Sequence, residues 1–108
     1  MNQSDVRALA LGLPEAEELP HFDRASFRVR GKVFATLPPG GDLVVLKLTP
    51  EAKWELHEND SGAIVSLGAW DKGGWTQLAI GRIDPDKLSN LIRLAWRQVA
   101  PKRLQAGS

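Results

Sequence analysis

Residues 26–48 constrain the fold of this chain most, because they predict three consecutive strands joined by short turns. The first strand alternates polar and apolar side chains, which is typical of a half-buried strand. The Gly31-Lys32 pair that follows predicts a two-residue hairpin link of type II′, since glycine adopts the positive φ of its first position without a Cβ clash. In this register Val29 pairs with Phe34. The predicted core face of the hairpin then holds three apolar residues: Phe27, Val29 and Phe34.

A third strand is predicted at residues 43–48, after a Pro-Pro-Gly-Gly-Asp break. Its apolar side chains face the core if Val44 and Leu46 point inward, which turns Lys47 to the opposite side. The same alternation turns the arginines of the first strand away from the core. The unit therefore predicts a sheet whose open face carries three cations: Arg28, Arg30 and Lys47.

The remaining segments predict an α+β fold. Two helix starts are clear, because Thr49-Pro50 and Asp84-Pro85 each place a capping side chain before a proline at the first helical position. The predicted elements are a helix capped by Ser4 and ending at 11–13, a loop at 15–24, strands at 26–30, 33–37 and 43–48, a helix at 50–58, strands at 63–67 and 75–80, and a helix at 85–100. The order α-β-β-β-α-β-β-α predicts a two-layer sandwich, with helices on one face of an antiparallel sheet of about five strands.

Composition predicts one soluble domain spanning residues 1–108. The chain has 43% hydrophobic residues and no cysteine, which excludes disulfides and thiolate chemistry. It contains no apolar run near the roughly 20 residues of a membrane span, so we expect a cytoplasmic protein without a membrane partner. Residues 1–23 hold five acids and one base, whereas residues 82–108 hold six bases and two acids. This asymmetry predicts either attraction between the two ends of the chain or an anionic partner at one of them.

Two groups of basic residues are candidates for contacts with nucleic-acid phosphates. The first comprises the open-face cations Arg28, Arg30 and Lys47, together with Lys72, which lies in a predicted loop between Trp70 and Trp75. Indole rings beside a lysine offer flat surfaces for stacking on unpaired bases. The second group comprises Arg93 and Arg97, which lie on the last predicted helix, and Lys102 and Arg103, which come just after it. The alternative is that these charges only solvate the polar faces of a sheet and a helix.

The sequence holds no catalytic or metal-binding signature. His21 and His57 are its only histidines, and they lack the spacing of a metal site. Neither a glycine-rich phosphate loop nor an oxygen-rich metal cluster stands out, so we expect a non-catalytic protein without a cofactor or metal. A second hypothesis is that a protein partner or a second copy covers the open face through an apolar strip of Val33, Ala35, Leu37, Leu43 and Val45.

Four stretches together resemble the MmcQ/YjbR family of small bacterial proteins, over nearly the whole chain. They are Leu13-Pro14-Glu15, Pro20-His21-Phe22 running into residues 26–32, Gly74-Trp75, and Ala95-Trp96-Arg97 with the segment 100–104. The resemblance implies a frataxin-like (CyaY-like) two-layer arrangement and DNA binding. Lys72 and Trp75 match the lysine and tryptophan of an Asn-Lys-x-x-Trp element of the family, but this chain lacks the asparagine.

Overall fold

The computed structural model describes residues 1–39, 41–66 and 73–105. Four α-helices lie in this part of the chain: α1 (Gln3–Leu11), α2 (Pro50–Asn59), α3 (Pro85–Val99) and the short α4 (Lys102–Gln105). The strands are β1 (Ala16–His21), β2 (Arg24–Val29), β3 (Lys32–Leu37), β4 (Leu43–Lys47), β5 (Ile64–Val65) and β6 (Trp75–Ala79). Single turns of 3-10 helix precede β5 at Ser61–Ala63 and follow β6 at Ile80–Arg82.

The six strands form one antiparallel sheet in the order β1-β2-β3-β4-β6-β5. The predicted α+β class is confirmed, but the sheet has one strand more than the five that the sequence predicts. The additional strand is β1, which occupies most of the segment predicted as a loop. Its sequence contains Pro20 and two adjacent glutamates, and five of its six residues are exposed. An edge strand tolerates this composition, because proline and charge prevent further strands from pairing with it.

The turn between β2 and β3 differs from the prediction. Val29 pairs with Lys32, so the two-residue link is Arg30-Gly31 and not Gly31-Lys32. Both link residues have positive φ, 52° for Arg30 and 82° for Gly31, as a type I′ turn requires. This turn matches the right-handed twist of the flanking strands and is favoured despite the arginine. Arg30 consequently leaves the strand and lies at the hairpin tip.

A β-bulge is a second difference between the predicted and the observed register of this hairpin. Arg28 pairs with Val33 and Phe27 with Ala35, which leaves Phe34 as the extra residue of β3. The bulge turns Ala35 into the core, and Leu37 follows it there. The predicted apolar strip on the open face therefore loses Ala35 and Leu37. The predicted core face is confirmed, since none of its three residues is exposed: Phe27, Val29 and Phe34.

One hydrophobic core lies between the sheet and the helices. Helix α3 contributes its full apolar stripe, and Trp96 is completely buried, with its Nε1 donating a hydrogen bond to the carbonyl of Pro14 at 3.0 Å. Helices α1 and α2 add Val6, Ala10 and Leu56 to this core. Within the described ranges, no helix has the length and apolarity needed to cross a bilayer.

The helix caps agree with the sequence at two of three places. Thr49 Oγ1 accepts a hydrogen bond from the Ala52 amide at 3.1 Å, and the Asp84 carboxylate caps α3 as predicted. Helix α1 begins earlier than predicted, because Asn2 and not Ser4 is its N-cap. Asn2 and Asp5 exchange hydrogen bonds in a capping box, which satisfies two amides where a single serine satisfies one.

Candidate functional site

The sheet face away from the helices carries a groove of about 510 Å³. We call this face the open face. The β1–β2 hairpin turn forms one wall of the groove, β3 and β4 form its floor, and the first residue of β6 borders it. Eight residues line the groove: His21, Phe22, Asp23, Arg24, Val33, Thr36, Val45 and Trp75.

Thr36 lies on the groove floor, paired with Ser26 on one side and with Val45 on the other. The residue is only 7% exposed, and its Oγ1 is buried without a hydrogen-bond partner among the described residues. A buried hydroxyl that makes no hydrogen bond costs about 1–3 kcal/mol. The hydroxyl oxygen itself exposes less than 1 Å², so it is not accessible from the groove.

Phe22 stands at the tip of the β1–β2 hairpin and is 95% exposed. Its φ of 58° lies in the left-handed region, which bulky residues rarely adopt. The His21 ring contacts it edge-on, with the ring centroids 4.8 Å apart. Such backbone strain persists only where the surrounding structure imposes it, and it concentrates at functional sites. The hairpin thus presents an aromatic ring to solvent at the mouth of the groove.

Arg28 lies on the open face, because it stands between the buried residues Phe27 and Val29. Its Nε donates a hydrogen bond to Ser26 Oγ at 3.0 Å, and the Ser26 hydroxyl donates in turn to the Leu19 carbonyl at 2.8 Å. Glu17 is its cross-strand neighbour on β1, yet the two side chains form no ion pair. The half-buried Arg28 side chain therefore lies on the open face, and no described carboxylate pairs with its guanidinium group.

Lys47 is the second cation of the open face. It stands between the buried residues Leu46 and Leu48 and pairs across the sheet with Trp75. Lys47 is half-buried and forms no ion pair with a described carboxylate. Its strand lies two places from that of Arg28, so roughly 10 Å separates the two backbones. The sequence prediction for both residues is confirmed in position.

Arg30, a further predicted member of the first basic group, does not join this face. Arg30 lies in the turn, where its Nε contacts Glu15 Oε1 at 3.4 Å. Arg103 contacts the other oxygen of the same carboxylate at 3.1 Å. Glu15 therefore partly neutralises one cation from each predicted group. Trp70 and Lys72 lie outside the described residues.

The second basic group lies on the helix side of the molecule. Arg93 and Arg97 project from the exposed side of α3, whose opposite side packs against the sheet, and Lys102 begins α4. The sheet and the core separate these residues from Arg28 and Lys47. The structure thus does not bring the two basic groups together, and a short ligand cannot contact both.

The described residues hold no cluster of three His, Cys, Asp or Glu side chains that could bind a metal ion. His21 lines the groove, whereas His57 is exposed on α2. The strongest electrostatic cluster lies elsewhere, where Lys87 donates hydrogen bonds to the carboxylates of Glu55 and Asp60. These bonds raise the pKa of Lys87 above its ordinary value of 10.5, and the bond to Asp60 is the largest cause. The cluster joins α3 to α2 and has no access to the groove.

Five groove residues were not predicted from the sequence as site residues: His21, Phe22, Asp23, Arg24 and Thr36. Arg24 pairs with His21 across the hairpin, and its Nε contacts Asp23 Oδ1 at 3.4 Å. The two-residue link between β1 and β2 is Phe22-Asp23, which lacks the glycine or asparagine that signals a tight hairpin. The only sequence signal at this place is the Pro20-His21-Phe22 stretch of the family resemblance.

Comparison with known proteins identifies the fold but no activity. The family model described as YjbR matches residues 11–98. The crystal structure of Deinococcus radiodurans protein DR2400, with the family-model domain DUF419, superposes with a TM-score of 0.82. Its sequence is 22% identical, and the match covers 94% of this chain and 80% of that one. No curated protein matches the chain in sequence. At this identity the structural likeness supports the fold alone.

Proposed function

The chain belongs to the YjbR family, and we propose that it is a non-catalytic protein whose open face binds single-stranded nucleic acid. The observation that carries the proposal is the pair of half-buried cations, Arg28 and Lys47, beside a groove with aromatic borders. A half-buried cation without a carboxylate partner is favourable only where it stays hydrated or meets an anion. The backbone of a nucleic acid supplies such anions in a row.

The aromatic residues favour a single strand over a duplex. Phe22 is almost fully exposed at one end of the groove, and Trp75 is half-buried at its border. Rings of this kind stack on bases that are not already paired and stacked in a helix. Cations that track the backbone and aromatic rings that stack on bases are the usual combination in single-strand binding proteins. Trp70 and Lys72 remain predicted members of the same interface.

The proposal is tested with fluorescence anisotropy of a labelled ten-residue thymidine strand (dT10) at several salt concentrations. We expect Arg28→Ala combined with Lys47→Ala to weaken binding, because both phosphate contacts are removed. Since each phosphate contact on a single strand contributes about −0.7 to the slope of log K against log salt, this slope should become less negative by about 1.4. Circular dichroism checks that the fold is retained.

A second double variant provides the matched control. Arg93→Ala with Arg97→Ala removes the same charge from the helix side, away from the groove of the open face. We expect this variant to bind dT10 nearly as tightly as the natural protein. The opposite order of the two double variants would place the interface on α3 and refute the open face as the site.

Protein interaction through the open face is the second candidate function. Phe22 favours it, together with Leu19, which is 41% exposed on β1. The predicted apolar strip gives little support, because Ala35 and Leu37 lie in the core. Val45 is buried as well, with only 5% of its surface exposed. Sedimentation at high concentration discriminates the two candidates. A stable dimer that Phe22→Ala dissociates, without dT10 binding, would favour the protein interface.

A further inference from the structure

Trp54 lies in the middle of α2, and 66% of its surface is exposed. The buried residue of this helix, Leu56, is two positions further on and therefore on nearly the opposite side of the helix. Lys53 is the only lysine or arginine of α2, and its Nζ donates a hydrogen bond to the Trp75 carbonyl at 3.2 Å. The indole ring thus lies on a side of α2 that packing against the core does not require.

Two glutamates share this side of α2 with Trp54. Glu51 precedes it by three residues and Glu58 follows it by four, and residues at these spacings are neighbours on a helix surface. Both glutamates are exposed, and neither forms an ion pair with a described residue. We call Glu51, Trp54 and Glu58 the α2 face. It places one aromatic ring between two carboxylates along about 10 Å of helix, at about 1.5 Å per residue.

The stability of the fold does not account for the α2 face. Glu58 lies in the last turn of α2, where the negative end of the helix dipole opposes a carboxylate. Glu55 of the same helix does contribute to the fold by pairing with Lys87, whereas Glu58 has no such partner. Residues that are locally unfavourable and make no compensating contact are typical of functional sites. The α2 face is therefore a candidate for contact with another molecule.

We infer that the α2 face binds an arginine-rich segment of a protein partner. A cation is attracted to the face of an aromatic ring, and tryptophan attracts it most strongly. Arginine fits better than lysine, because its planar guanidinium group stacks on a ring and donates two parallel hydrogen bonds to a carboxylate. The two carboxylates repel phosphates, so this face does not suit a nucleic acid. No residue of α2 lines the groove of the open face, so the interaction is separate from the proposed nucleic-acid site.

The test titrates the ¹⁵N-labelled protein with two peptides of equal charge, hexa-arginine and hexalysine. The indole N–H resonance of Trp54, which is assigned from its loss in Trp54→Phe, reports contact at the α2 face. We expect hexa-arginine to shift this resonance saturably and to bind more tightly than hexalysine. In calorimetry, Trp54→Ala should weaken the binding of hexa-arginine about twofold to fivefold. Trp54→Phe, which keeps an aromatic ring, should retain part of the affinity.

Two double variants that remove the same charge separate the α2 face from general attraction between charges. Glu51→Gln with Glu58→Gln should weaken the binding of hexa-arginine about threefold to tenfold. Glu17→Gln with Asp42→Asn removes two exposed carboxylates from β1 and from the turn before β4, and we expect it to leave the affinity nearly unchanged. Neither Trp54→Ala nor Glu58→Gln should lower the melting temperature, because both side chains are exposed.

Three outcomes would overturn the partner site. Equal weakening by the two double variants, or no effect of Trp54→Ala, would reduce the binding to general charge attraction. A Trp54 resonance that shifts with protein concentration alone, and that Arg93→Ala with Arg97→Ala restores, would assign the α2 face to a second copy of the chain. Binding of dT10 should be the same in Trp54→Ala and in the natural protein, so the nucleic-acid site and the α2 face can fail separately.

Discussion

At the level of single residues, one backbone angle decides what Arg30 does. Simple alternation predicts it on the open face beside Arg28. Its φ of 52° places it instead in a type I′ turn with Gly31, where its side chain contacts Glu15. An arginine is strained in the left-handed region of backbone conformation, whereas asparagine and glycine adopt this region with little strain. The residue is therefore a less favourable turn former and makes an exposed ion pair of small value.

Arg30→Asn should stabilise the fold, because Asn-Gly is the preferred pair of a type I′ turn. We expect the free energy of unfolding in urea to rise by about 0.5–1 kcal/mol. Binding of dT10 should not change, since Arg30 lies off the open face. Arg103→Ala is the control, because it removes the other cation on Glu15 without changing a turn. A loss of stability in Arg30→Asn alone would show that the ion pair outweighs the turn strain.

The sequence predicts a site residue correctly where the neighbouring residues determine the side of the strand on which it lies. Arg28 and Lys47 were placed correctly, because each is flanked by two apolar residues that must be buried. Phe22 could not be predicted, since its left-handed backbone is imposed by the hairpin and contradicts its own preference. The Thr36 hydroxyl is buried without a partner because of its surroundings in three dimensions, which no sequence pattern reports.

Among the elements, predictability depends on how far each one contacts the core. Helix α3 was predicted within one residue, because its apolar stripe packs fully against the sheet. Strand β1 was missed, because its side chains are mostly exposed and its pairing with β2 is made by backbone groups. Strand β5 is shorter than predicted, because the 3-10 turn Ser61–Ala63 takes its predicted first residue and Ser66 is not part of the strand. Leu67 lies outside the described residues. Exposed and short strands carry little apolar periodicity to detect.

The turn before β6 offers a test at the level of elements. Gly73 and Gly74 both have positive φ, 73° and 86°. A Cβ on Gly74 would lie 2.5 Å from the Leu48 carbonyl oxygen, whereas one on Gly73 meets nothing within 4 Å. The Gly74 carbonyl also accepts the Leu48 amide at 2.8 Å, which ties the turn to the end of β4.

We expect Gly73→Ala to cost about 1–2 kcal/mol of unfolding free energy, the usual cost of the left-handed region. Gly74→Ala should cost more, about 3 kcal/mol or above, because the backbone must also move away from Leu48. Urea unfolding of the two variants measures the difference. Equal losses would show that the turn relaxes freely and that the contact with Leu48 adds no constraint.

Across the whole molecule, the charge asymmetry of the sequence is partly used within the fold. Glu15 from the acidic end contacts Arg103 from the basic end, and Trp96 of α3 donates to the Pro14 carbonyl. This arrangement supports the predicted attraction between the ends. The predicted site cations without a described carboxylate partner divide between the two sides of the sheet: Arg28 and Lys47 on one, Arg93, Arg97 and Lys102 on the other. The sequence alone does not assign the two groups to different sides of the sheet, because both have the pattern of exposed polar positions.

The pH dependence of stability has one strong local source, the cluster of Lys87 with Glu55 and Asp60. It joins α3 to α2, a helix whose one buried residue is Leu56. The hydrogen bonds to Asp60 and Glu55 raise the pKa of Lys87 in the folded state above 10.5. A group with a raised folded-state pKa contributes its stability fully below the unfolded-state pKa, and loses it as the pH rises through the folded-state value.

Lys87→Met should therefore cost about 1–2 kcal/mol of unfolding free energy at neutral pH, since it removes two charge-assisted hydrogen bonds on a partly exposed side chain. The difference between Lys87→Met and the natural protein should stay constant up to pH 10 and shrink above pH 10.5, as the lysine loses its proton first in the unfolded state and, at higher pH, in the folded state. Urea unfolding across this range measures the difference, in which the titration of all other groups cancels. Lys102→Met, a change of the same kind at a lysine without an ion pair, should show neither the loss nor the alkaline trend. A difference that persists unchanged at pH 11.5 and above would mean that the lysine stem packs α2 against α3 and that its charge contributes nothing.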